Sequence, residues 1–136
     1  KPLQRVITRL RRHIAQEQKA IAGADSATRA FLLADFHVCL AEQMGHRLLA
    51  DTLRDLTART TLAATLYQST HSASQSCAEH ERIVAALERG DTEGAKALLL
   101  EHIGMVERSL EIRATETEEP GDRLRATLAP VLKQRL

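Results

Sequence analysis

Apolar residues recur along this chain at helical spacing, and that periodicity limits the fold more than any other feature of the sequence. Leu3, Ile7, Leu10, Ile14 and Ile21 alternate steps of four and three, with Glu17 in the one polar place of the series. Such a stripe lies along one side of an α-helix. Pro2 suits the first turn of this helix and Gly23 ends it. Asp25 or Ser26 caps a second helix that runs to about Met44, where Gly45 interrupts. A third is expected from about Arg47 to Ser69, with Leu49, Leu53, Leu56 and Ala63 on one side. Thr70 to Gln75 is Ser-rich and reads as a loop, and Ser76 with Glu79 forms a capping box that opens a fourth helix. Gly90 stops that helix, and Asp91 caps a fifth reaching about Arg113. Residues 115–121, with Pro120 and Gly121, read as a linker, and Leu124, Leu128, Val131 and Leu132 mark a short amphipathic helix over 122–136.

These elements sum to an all-α antiparallel bundle of about six helices: a body over residues 1–114, the linker, and a last helix that packs on the bundle or on a dimer partner. Composition agrees. The chain is 43% hydrophobic but only 2% aromatic, with no Trp, so the core is built from aliphatic side chains and Ala. Net charge is +1, from 19 basic and 18 acidic residues, too even a balance to hold a nucleic-acid backbone. Cys39 and Cys77 lack metal-site spacing and read as buried small apolar residues in a reducing compartment. No apolar run approaches the roughly 20 residues of a membrane span, and no signal peptide is visible. A soluble cytoplasmic protein with no membrane partner is expected.

Three of the six histidines share a pattern. His37 aligns with Leu33, Leu40, Ala41 and Met44, His80 with Ile83, Val84 and Leu87, and His102 with Leu98, Leu99, Met105 and Val106. Each falls on the core-facing stripe of a different helix, where an imidazole needs a partner. Three separately satisfied core histidines are one reading. Convergence on a divalent metal is the other, since neutral imidazole binds zinc, nickel, copper or iron and bundle interiors host such sites. His13, after Arg11 and Arg12, is expected in solvent, His46 at a loop near a helix start, and His71 in the Ser-rich loop, from which it could swing toward a pocket.

The same residues resemble a known family. Phe36-His37-Val38-Cys39-Leu40-Ala41-Glu42 followed by Gly45 and Leu48-Leu49, then Glu79-His80-Glu81-Arg82-Ile83 through Gly90-Asp91, then Glu101-His102-Ile103, stand in the order and spacing of the C-terminal effector-binding (FCD) domain of FadR-type GntR transcription regulators. The resemblance covers roughly Leu10 to Leu110. It implies a helical domain that dimerises, follows a winged helix-turn-helix and senses a small metabolite, commonly an organic acid. Many members hold a divalent metal with one Asp and three His. Carried over, the three histidines are His37, His80 and His102, whereas Leu33 stands at the Asp position and His46 at the usual Asn. Asp35 does not replace that Asp, because two residues along a helix is about 200° of rotation.

The resemblance thus implies a bacterial regulator's sensing domain without the family's first helix and DNA-binding head. DNA would be reached only through that winged helix-turn-helix. The expected cofactor is zinc or nickel on three histidines, completed by water, His71 or the carboxylate of an effector. Arg11, Arg12, Leu33, Thr60, Gln68 and His71 are the residues expected to face that effector. A metal-free sensor is the alternative, with Leu33 making the pocket more apolar. A three-histidine metalloenzyme is a further one, disfavoured because no paired carboxylates share the histidine faces and no nucleophile stands beside a base.

Overall fold

A computed structural model describes residues 2–23, 25–67 and 70–116, apart from the side chains of 62–64, 66, 67, 70, 71 and 109–116. Five helices are present among these residues: α1 (Leu3–Gly23), α2 (Ser26–Gln43), α3 (Arg47–Tyr67), α4 (Thr70–Glu88) and α5 (Thr92–Glu116). The expected sixth helix lies outside the described residues, as does the linker beyond Glu116.

Local chemistry sets the helix ends. Asp25 caps α2, its Oδ1 accepting from Thr28 N at 2.8 Å. Asp91 does the same for α5, accepting from Gly94 N at 2.9 Å. Both hairpin turns are Schellman motifs. Gly45, at φ 82°, donates to Glu42 O while His46 N reaches Ala41 O. Gly90, at φ 74°, donates to Leu87 O while Asp91 N reaches Ala86 O. The left-handed backbone is what admits glycine at these two points.

Two boundaries differ from the sequence reading: α5 continues through Thr115 and Glu116, the start of the segment read as linker, and α4 begins earlier. Thr70 to Gln75 is the first part of α4, and Ser76 lies inside that helix and caps nothing. The reason is burial: Ala73 (0% exposed) and Cys77 (4%) continue the stripe of His80, Val84 and Leu87 into the core. Tertiary packing there outweighs the weak helix propensity of serine.

Helix α1 packs between α2 and α4; α3 flanks α2, α5 flanks α4, and α2 also meets α4. Between α1, α2 and α4 lies the main core, made of Val6, Ile7, Leu10, Ile14, Leu33, Phe36, Cys39, Ala73, Cys77 and Val84. Burial raises both thiols above their ordinary range, Cys77 to about 12, so neither cysteine offers a thiolate. A smaller cluster of Val38, Ala41 and Ala50, with Leu53 against it, joins α2 to α3. Contacts between α3 and α5 are few, and the space between them stays open.

Leu10 is fully buried at the centre of the core, whereas Leu48 is 82% exposed. Leu10→Ala is expected to lower unfolding free energy by about 2–5 kcal/mol, and Leu48→Ala by no more than about 0.5 kcal/mol. Urea denaturation of the two variants checks this; equal losses would show that the core is placed wrongly.

Candidate functional site

His37 on α2, His80 on α4 and His102 on α5 bring their Nε2 atoms to one point. His80 Nε2 lies 3.1 Å from His102 Nε2, and His102 Nε2 lies 3.3 Å from His37 Nε2. His80 and His102 are buried and His37 nearly so. Ring packing fixes the orientations: Phe36 stacks on His80 with centroids 3.9 Å apart, and His37 stacks on His102 at 5.2 Å.

The other ring nitrogens of two histidines face carboxylates. His80 Nδ1 is 2.9 Å from Glu17 Oε2, and His102 Nδ1 is 2.6 Å from Glu79 Oε2. Gln75 Nε2 donates to the second oxygen of Glu79 at 3.2 Å. Glu17, fully buried, therefore belongs to the site: the polar place in the apolar series of α1 is a core position that reaches the histidines. Paired carboxylates do flank the histidines, contrary to the sequence reading. They bond the outer ring nitrogens and leave the Nε2 centre to imidazole alone.

Electrostatics follow from burial. Loss of solvent lowers the pKa of His37 to about 4, with the charge of His102 adding to the effect. The same burial holds His80 well below its ordinary range, reinforced by His37, His102 and His13. Both rings are thus neutral near pH 7, with lone pairs to offer. Burial pushes the Glu17 carboxyl up to about 9; a hydrogen bond from Cys77 works against the shift, and the Glu81 and Asp35 charges add to it. A protonated Glu17 donates to His80 Nδ1, His80 Nε2–H then points to His102 Nε2, and His102 Nδ1–H donates to Glu79. Every bond in that chain has one proton.

The donor set also suits a divalent ion. Metal–nitrogen bonds of about 2.0–2.1 Å at tetrahedral or octahedral angles put neighbouring ligand nitrogens about 3.0–3.4 Å apart, and the His80–His102 and His102–His37 separations both fall in that range. A carboxylate behind a ligating imidazole is the usual outer support of such a centre. Leu33 is packed into the apolar core and brings no oxygen to it.

His37 and His102 also line a cavity of about 590 Å³ between α2, α3, α4 and α5. Leu40, Leu53, Ile83, Leu87, Leu99 and Val106 form its walls. The buried His102 marks the inner end, and the exposed Lys96 and His46 the mouth.

Most of the other residues expected at the effector are elsewhere. Arg11 is on the surface and pairs with Glu88 at 2.8 Å. Arg12 lines a separate polar groove with Arg9, Asp35 and Arg54. The Thr60 hydroxyl is exposed and donates to Leu56 O of its own helix. Gln68 lies outside the described residues; His71 falls in the first turn of α4, not in a loop, and its side chain is likewise outside them. His13 is buried and not solvated: it donates from Nε2 to Leu32 O at 3.0 Å and lies 3.5 Å from Glu17 Oε1. Its place one turn before Glu17 carried that signal.

The chain matches the FCD domain family over residues 3–105 and belongs to it. This is the C-terminal domain of FadR-type GntR regulators, a regulatory ligand-binding domain and not an enzyme family. It implies a small-molecule effector in a regulator context. No curated protein and no solved structure matches the chain. No helix among the described residues is long and apolar enough to cross a membrane.

Glu17 gives the metal-free domain a distinctive pH dependence. Its folded-state pKa is raised, so its contribution is fully present below about 4.5 and is lost as pH climbs toward about 9. The depressed His37 and His80 act oppositely, but only below about 6.5. Between pH 6.5 and 9, therefore, stability is expected to fall by as much as about 1.4 kcal/mol per pH unit, and Glu17→Gln should flatten the fall. Denaturant titrations of chelator-treated protein across that window decide it; parallel profiles for wild type and variant would refute the assignment.

Proposed function

We propose that this chain is the effector-binding and dimerisation domain of a bacterial, cytoplasmic GntR-type transcription regulator, and that His37, His80 and His102 hold a divalent metal to which a carboxylate effector binds. One observation carries the metal: three imidazole nitrogens converge within 4.8 Å of one another in a buried site, two of the separations being 3.1 and 3.3 Å. Neutral lone pairs placed that close repel unless a proton or a cation lies between them. When bound, zinc or nickel supplies that charge and leaves coordination positions for a carboxylate.

The residues of the chain do the rest. Glu79 accepts from His102 Nδ1, and Glu17 as carboxylate accepts from His80 Nδ1, so both present Nε2 inward. Phe36 stacks against His80 and stops its ring from turning. The cavity admits an acid to the His37–His102 side. Because the histidines come from α2, α4 and α5, an occupant ties three helices together. A regulator can use this as a population shift between two placements of DNA-binding heads, provided the two placements bind effector unequally. A winged helix-turn-helix would supply the DNA contact.

Elemental analysis after incubation with zinc or nickel, followed by desalting, is the direct test. Wild type is expected to retain one ion per chain, and His102→Ala to lose it with at least a tenfold drop in metal affinity. Added carboxylates should raise the melting temperature of the loaded protein more than that of the variant. A wild type that retains no metal, together with equal ligand responses in both proteins, would leave a metal-free sensor as the correct reading.

A further inference from the structure

The cavity beside the histidines discriminates between kinds of acid. Its inner end is polar, through His37 and His102. Beyond them the walls are aliphatic on all four helices, from Leu40 and Leu53 across to Ile83 and Leu99. Among the described lining residues there is no Asp, Glu, Asn, Gln, Ser, Tyr or Arg. The remaining polar groups are Thr57, Thr92, Lys96 and His46, each at least partly exposed to solvent.

That distribution excludes a densely hydroxylated ligand. Every hydroxyl buried against these walls forfeits its water without gaining a partner, a loss of about fivefold or more in affinity each. A sugar acid or a hydroxy-diacid would carry several. A methylene chain in the same space gains from burial at each carbon. The volume, about 590 Å³, is far more than a carboxylate head alone occupies, and lies in the range of pockets that enclose most of a drug-sized molecule.

We propose that the effector is an aliphatic monocarboxylic acid, its carboxylate at the His37–His102 end and its hydrocarbon chain along the α3 and α5 walls. The position of the head rests on the metal reading given above; the nature of the tail rests on the cavity walls. Specificity then divides in two. The histidine centre selects for the acid group, and the leucine-lined walls select for chain length and against hydroxylation.

Isothermal titration of the zinc-loaded chain with butanoate, hexanoate, octanoate and decanoate, below micelle-forming concentrations, tests this. Gluconate, malate and octanol serve as contrasts, and metal content is measured on the same samples. Affinity is expected to rise about fourfold per added methylene until the cavity is filled. Octanoate should bind at least tenfold more tightly than gluconate, malate or octanol. Leu53→Asn should weaken octanoate more than butanoate while metal content stays unchanged. A series flat in chain length, or gluconate or malate binding as tightly as octanoate, overturns the aliphatic tail and leaves the metal-bearing sensor standing. Octanol equal to octanoate overturns the placement of the carboxylate. Absence of retained zinc overturns the underlying reading of the site, whatever the acids do.

Discussion

The structure depends on a line of hydrogen-bonded buried polar groups, Glu17, His80, His102 and Glu79, with His37 beside it and Glu17 Oε1 left without a hydrogen bond. Each of the four is 6% exposed or less, and an unpaired polar atom at such depth costs about 1–3 kcal/mol, more for a charge. The line runs from α1 through α4 to α5 and back to α4, so imidazole and carboxylate tie α5 to two helices of the main core. Its geometry is reproducible only if each ring is held, which Phe36 does for His80 and the stacked pair His37–His102 does for the other two. The apolar core of α1, α2 and α4 supplies the rigidity, and the polar line sets the register between helices.

Such a line is tolerant of two chemical states. With Glu17 protonated, hydrogen bonds run in one direction from Glu17 to Glu79. With a cation at the Nε2 atoms, both glutamates accept and both rings point their lone pairs inward. The same atoms in nearly the same places serve both states, because only protons need to move. A buried acid with a strongly raised pKa is costly in isolation; here it has His80 as its partner, and under the proposed metal reading that pair would serve both before and after loading.

Much of this could be read in the sequence, because periodicity and caps are local. The steps of Leu3 through Ile21, the caps at Asp25 and Asp91 and the turns at Gly45 and Gly90 all mark real boundaries. His37, His80 and His102 were legible because each interrupts an apolar stripe. Thr70 to Gln75 was misread since serine signals a loop locally, whereas the burial of Ala73 and Cys77 is a property of the folded chain. Glu17 was visible as an anomaly but not as a partner, because its contact with His80 spans 63 positions. Glu79 looked like a capping residue and instead serves a histidine on the next helix. Arg11, Arg12 and Thr60 were drawn to the site by chemical type alone, and helix phase turns them outward.

Helix α3 rests on α2 and scarcely touches α5, so the cavity is a wedge, fixed at its histidine end and compliant at its mouth. Widening the mouth breaks few packed contacts; widening the inner end would break buried hydrogen bonds on three helices. A pocket of this shape is strict about the head of its occupant and lenient about bulk further out. Relatives that respond to different molecules could therefore arise by substitutions along α3 alone, with the histidine centre untouched.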